Sequence, residues 1–157
     1  MTIIPDLDSN DAFDQTGEWT SHKLEDTFQL GVRLGQQLGG GEIILLDGAL
    51  GAGKTVFVKG LGSALGLDDK DLTSPSFTLV NRYDARLTLY HLDLYRLADG
   101  ASAAYAVDLD ELLSDERAVV VVEWAERLRN YPLPAPVYRV RIDGDGEEVR
   151  RIRIVKE

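Results

Sequence analysis

The octapeptide Gly48-Ala49-Leu50-Gly51-Ala52-Gly53-Lys54-Thr55 constrains this chain more than any other feature. Its frame, Gly-x-x-x-x-Gly-Lys-Thr, is that of a phosphate-binding loop, and the flanking residues decide whether the frame has that meaning. On the N-terminal side, Glu42 to Asp47 centres on Ile43-Ile44-Leu45-Leu46, a short apolar run fit for a strand buried on both faces. On the other side Phe57, Leu61, Ala64 and Leu65 fall along one helical stripe that Gly66 closes as a C-cap. Strand, glycine loop and helix therefore follow in the required order. Glycines let the backbone turn tightly so that successive N–H groups face a polyphosphate, and the helix N-terminus adds the positive end of its dipole. Lys54 is then expected to reach the β- and γ-phosphates and the Thr55 hydroxyl to ligate Mg²⁺. Gly48, Gly51, Ala52, Gly53 and Val56 complete the expected nucleotide-binding backbone. The competing reading is a glycine-rich turn whose lysine is merely solvated.

A phosphoryl-transfer site also needs carboxylates, and two acids end apolar runs. Glu123 follows Ala118-Val119-Val120-Val121-Val122, and Asp93 follows Leu87-Thr88-Leu89-Tyr90-His91-Leu92. In open α/β sheets ligands bind beyond the carboxyl ends of the strands, so both acids are placed to face the phosphates. An acid there equally serves as a helix cap, and a lone His91 equally serves as a packed core histidine. Thr73-Ser74-Pro75-Ser76-Phe77-Thr78 gathers hydroxyls around a proline, as in a loop that senses the γ-phosphate or as in a plain turn.

The remainder is organised around that unit. Leu24, Phe28, Gly31, Leu34 and Leu38 have helical spacing, with Gly39-Gly40-Gly41 as the expected stop. Val137 to Ile142 and Val149 to Val155 read as a hairpin through Asp143-Gly144-Asp145-Gly146. In it Arg139, Arg141, Arg151 and Arg153 share the outward face, either as a solvated face partly neutralised by Asp143, Asp145, Glu147 and Glu148 or as a patch that meets a phosphate or an acidic partner surface. Residues 1–20 carry Asp6, Asp8, Asp11, Asp14 and Glu18 without periodicity and read as a flexible acidic leader; 21–157 reads as a single domain. The net charge of −10 argues against a stand-alone nucleic-acid binder, so nucleic acid is expected to be held by another protein. No apolar run is long enough for a membrane span, and the absence of cysteine fits a cytoplasmic protein.

In this order and spacing, GALGAGKT, SPSFTLVNRY, YHLDLYR and VVEWAERL resemble the TsaE family of bacterial ATPases, over roughly Leu24 to Val155. The resemblance implies an ATP-binding and hydrolysing subunit, needed for the threonylcarbamoyl modification of the adenosine beside the anticodon in tRNAs that read codons beginning with A. It implies ATP and Mg²⁺ as cofactors and TsaD and TsaB type proteins as partners, with tRNA met through their complex. If the arginine face of the hairpin is such a patch, it meets a phosphate of ATP, tRNA held by the complex, or an acidic partner surface. Thr55 and Glu123 are carried over as magnesium ligands, and Asp93 as a residue near the metal and the attacking water. Trp124 pairs with Glu123 in the family motif, Thr27 matches a threonine near the nucleotide base, and Glu126 is placed near the nucleotide by its offset from Trp124. The chain departs from the family at Ser76, where threonine is frequent, and at Ala49, where aspartate is frequent. It also has no evident glycine between the YHLDLYR and EW segments.

The expected fold is α/β, a three-layer P-loop NTPase-like architecture with a mostly parallel central sheet and a C-terminal antiparallel hairpin. Two other functions fit the loop. A small P-loop kinase would need an arginine-bearing lid, yet Asp99 to Glu116 contains no basic residue. A regulatory ATP-binding subunit without turnover would use Lys54 and Thr55 for binding alone.

Overall fold

The three apolar runs that flank the expected site lie side by side at the centre of one sheet. The computed structural model describes residues 2–3, 17–49, 51–144 and 149–157. Its strands are β1 (Thr2–Ile3), β2 (Gly17–Ser21), β3 (Ile43–Asp47), β4 (Val80–Asp84), β5 (Thr88–Asp93), β6 (Ala118–Glu123), β7 (Val137–Asp143) and β8 (Arg150–Lys156). The helices are α1 (Leu24–Gly35), α2 (Lys54–Ala64), α3 (Ala101–Ala106) and α4 (Leu109–Leu113). The sheet order is β1-β2-β8-β7-β3-β6-β5-β4. β7, β3, β6 and β5 run parallel, while β4, β8 and β2 pair antiparallel with β5, β7 and β8. The mostly parallel centre and the antiparallel C-terminal pair match the sequence-based expectation.

Burial explains the layers. Every residue of β6 is buried, as its unbroken apolar run requires of a central strand covered on both faces. Ile44, Leu46, Val119 and Val121 pack with Leu30, Leu34, Phe57 and Leu61 of α1 and α2. Ile43, Leu45, Val120 and Val122 pack on the opposite face with Ala103 and Ala104 of α3 and Leu109 of α4. The segment around α3 and α4 carried no sequence signal for helices, because each makes less than two full turns.

Two helix ends are set in different ways. α2 closes in a Schellman motif: Leu67 N–H donates to the Gly62 carbonyl and Gly66 N–H to that of Ser63, with Gly66 at φ +99°. α1 stops at Gly35, short of the expected glycine triplet. Arg86 donates to the Gly35 and Leu38 carbonyls, and the Glu42 carboxylate accepts from the Gly39 and Gly40 amides, so side chains from outside the helix set its end. Leu24, expected on the core stripe, is instead 53% exposed.

The two helices lie unusually close. A Cβ on Gly60 would sit 1.9 Å from the Phe28 carbonyl oxygen, and one on Gly31 would sit 2.1 Å from that of Phe57. Glycine at both positions is what lets the backbones touch.

The hairpin alternates as its sequence predicts. Tyr138, Val140, Ile142, Ile152 and Ile154 are buried, and Arg139, Arg141, Arg151 and Arg153 are exposed. Arg141 stands directly opposite Arg153, an unfavourable pairing of like charges that nearby acids relieve. Glu157 lies 2.6 Å from Arg139, Asp143 3.0 Å from Arg141 and Glu18 3.8 Å from Arg153. Of the acids expected to do this, Asp143 takes part; Asp145, Glu147 and Glu148 lie outside the described residues.

β2 begins inside the segment read as a leader. Residues 17–20 pair with β8, and Trp19 is 5% exposed among the core side chains. Five residues are too few for periodicity to reveal a strand, and this one lies along the edge of β8. Asp6, Asp8, Asp11 and Asp14 lie outside the described residues.

Candidate functional site

At the carboxyl end of β3 the chain enters the glycine loop and emerges as α2, whose first residue is Lys54. Gly53 caps the helix at φ +106°, a left-handed conformation that turns the backbone into the helix without a Cβ penalty. Lys54 is 6% exposed; its Nζ donates to the Gly48 carbonyl at 2.7 Å and stands 4.0 Å from the centre of a Trp124 ring. Burial pulls the ammonium below the usual lysine value, opposed by the negative charges of Glu123, Glu126, Asp93 and Asp47.

The two strand-end acids meet here. β5 and β6 run parallel in a register that places Asp93 beside Glu123. Both line a cleft of about 560 Å³ with Gly51, Gly53, Lys54, Thr55, Val56 and Trp124. The Asp93 carboxylate accepts from the Tyr95 amide at 2.9 Å, which fixes its orientation. Glu123 is held by His91, whose Nε2 lies 2.5 Å from Oε2, both side chains being buried. His91 thus belongs to the site as the support of a carboxylate. Its Nδ1 is buried without a hydrogen-bond partner among the described residues.

Trp124 follows Glu123 in a left-handed turn, φ +57°, that ends β6 abruptly and brings the indole over Lys54. Its ring centre lies 4.8 Å from that of Tyr95. Across the cleft Ser74 and Ser76 share a hydrogen bond at 3.0 Å, and Phe77, 82% exposed, stacks under the Arg96 guanidinium at 4.3 Å. The Ser/Thr/Pro segment therefore borders the same cleft as the glycine loop.

Other candidates stand elsewhere. Ala52 is fully buried within the loop. Thr27 is fully buried behind it, with its hydroxyl 2.7 Å from that of Ser21. Glu126 is next to Asp47, whose carboxyl is pushed up to about 6 by burial first and by Glu126 second, with Arg139 and Arg141 pulling it down. Sequence reading missed Leu24, Tyr95, Arg96 and Arg150 as neighbours of the loop. For Arg150 a signal existed: it shares strand parity with buried Ile152 and Ile154, so it occupies an inward position that rarely holds an arginine.

The donor set suits one cation. Among the described residues no three His, Asp or Glu side chains converge as a metal cage. Magnesium held through nucleotide phosphates needs only one or two carboxylates and a hydroxyl beside its waters. Thr55, Asp93 and Glu123 face one cleft and are the residues that could hold such an ion.

A model of the family "Threonylcarbamoyl adenosine biosynthesis protein TsaE" matches residues 21–152. Curated relatives bear the name tRNA threonylcarbamoyladenosine biosynthesis protein TsaE. The Mycobacterium tuberculosis protein is 44% identical over 119 residues, 71% of this chain and 70% of the relative. The Treponema pallidum protein is 42% identical over 122 residues, 78% and 86% of the two chains. The Aquifex aeolicus protein is 38% identical over 135 residues, 85% and 91%. Among solved structures, Bacillus subtilis YdiB superposes with a TM-score of 0.68 at 30% identity, covering 88% of this chain and 84% of the other.

Proposed function

Since the chain belongs to the TsaE family of threonylcarbamoyl adenosine biosynthesis proteins, we propose that it is the Mg-dependent ATPase subunit of that tRNA modification. One observation carries the reading. The loop lysine and threonine and the two strand-end carboxylates, from three separate segments, face a single cleft. A polyphosphate in the glycine loop takes its hydrogen bonds from backbone amides and its charge compensation from Lys54. Lys54 sits buried among carboxylates, so it has a strong field to lend once phosphate oxygens replace its bond to Gly48. Thr55, Asp93 and Glu123 would hold the magnesium ion, which neutralises charge developing on the phosphates. His91 keeps the Glu123 carboxylate in one orientation, and the Tyr95 amide does the same for Asp93. Asp93 is the residue we assign to orienting the attacking water.

The partners in this reading are TsaD and TsaB type proteins, with tRNA held by their complex, and the setting is the cytoplasm. Among the described residues no helix is long and apolar enough to cross a membrane. The kinase alternative lacks support, because α3 and α4 carry no basic residue where a phosphate-clamping lid would need one. The test is reconstituted modification of such a tRNA by the TsaD and TsaB type proteins, with this protein and ATP added or withheld. Modification should need both, and Lys54→Ala should remove the stimulation together with Mg-ATP turnover. Full modification with Lys54→Ala, or ATP hydrolysis at the wild-type rate, would overturn the reading.

A further inference from the structure

The phosphate loop is gripped from behind by a residue outside its motif. Arg150, the first residue of β8, is 5% exposed. Its Nε donates to the Ala52 carbonyl at 2.7 Å and one of its terminal nitrogens to the Gly51 carbonyl at 3.3 Å. These two residues lie 98 and 99 positions away in sequence. A Cβ on Gly53 would sit 3.6 Å from the Arg150 Nε and 3.6 Å from the Thr27 methyl, so the arginine and the threonine form the loop's rear wall. Arg150 pairs in register with Ser21, whose hydroxyl bonds Thr27. The hairpin touches the loop at its other end too: a Cβ on Gly48 would lie 2.5 Å from the Ile142 carbonyl.

A loop that aims its amides at an anion must aim carbonyls the other way. Carbonyls buried behind the loop need donors, since an unpaired one carries the full cost of its desolvation. Guanidinium is the side chain best suited to this, because its rigid fork serves adjacent acceptors at once and it stays charged when buried. We propose that Arg150 is a positioning residue for nucleotide binding. It holds the Gly51 and Ala52 carbonyls outward, so the amide cradle exists before any phosphate arrives. It touches no substrate; it acts through the loop. The proposal rests on the reading of the loop as a nucleotide site and adds a role for the C-terminal hairpin, which otherwise would be only the outer part of a sheet.

Pre-organisation predicts a distinct signature. The loss falls on affinity, is the same with and without Mg²⁺, and leaves turnover at saturation nearly intact. Arg150→Gln should weaken ADP and ATP binding about tenfold by calorimetry, equally in magnesium and in chelator. KM for ATP should rise by a similar factor with kcat little changed. Hydrogen exchange of the 51–53 amides in nucleotide-free protein should accelerate while that of β6 stays constant. Arg150→Lys, which keeps the charge but not the fork, should recover part of the affinity. Wild-type affinity and loop exchange in folded Arg150→Gln would overturn the proposal. Failure of both variants to fold would overturn it as well, assigning Arg150 to stability alone. If the wild-type protein bound no nucleotide, the functional reading would fail, and loop exchange alone would still decide whether Arg150 holds the loop.

Discussion

Gly60→Ala in the middle of α2 sets two effects against each other. In an isolated helix the change stabilises by about 1 kcal/mol, since alanine loses less backbone entropy than glycine. Here the new methyl would lie 1.9 Å from the Phe28 carbonyl oxygen and 3.1 Å from the Val32 nitrogen. Both obstacles are backbone, so no side-chain rotation relieves them. α2 must retreat from α1 by about 1 Å, and overpacking of this kind costs about 3 kcal/mol at the upper end of its usual range. Packing wins, and the variant should lose about 2 kcal/mol in urea denaturation. The same shift carries Lys54 and Thr55, the first residues of α2, away from Asp93 and Glu123. A misplacement of about 1 Å can lower turnover about 100-fold, so ATPase activity should fall well below what the residual folded fraction would give. Gly39→Ala is the control, since among the described residues nothing lies within 4 Å of its would-be Cβ, and its effect should be small. A Gly60→Ala protein more stable than wild type would refute the argument that backbone contact between α1 and α2 positions the loop.

Three further outcomes follow from the site. Glu123→Gln should weaken ADP binding in Mg²⁺ by about tenfold or more and leave metal-free binding nearly unchanged, measured by paired titrations; equal losses would remove Glu123 from the metal shell. Asp93→Asn should lower kcat by at least about 100-fold with little change in nucleotide affinity, because orienting water matters chiefly in the transition state; an unchanged turnover number would end that role. Asp47→Asn should stabilise the fold at pH 8. The Asp47 carboxyl is raised from 3.8 to about 6, so the folded protein favours its protonated form and is penalised as pH rises through about 6. With the shift discounted for solvent screening of a partly exposed carboxyl, the gain should be about 1 kcal/mol at pH 8 and shrink toward pH 5; a gain that grew on acidification would contradict the sign.

What the sequence determined by itself is what depends on neighbours in the chain. The strand, glycine loop and helix were legible because they are consecutive, and each obeys a local rule of period, capping or backbone freedom. Asp93 and Glu123 were legible as acids that end buried apolar runs, and both line the cleft. The hairpin's alternation showed which arginines face outward, since the pleat enforces period two. Tertiary structure alone decided which distant groups these would meet. Nothing near His91 announces that parallel pairing of β5 with β6 sets it against Glu123. Nothing near Thr27 or Glu126 shows that one lies behind the loop and the other beside Asp47. The strand at 17–21 lies along the edge of β8, and Arg150 reaches the loop because the hairpin folds back over it. Such contacts join residues far apart in the chain, and their energies depend on distances in space that no local pattern of residue types records.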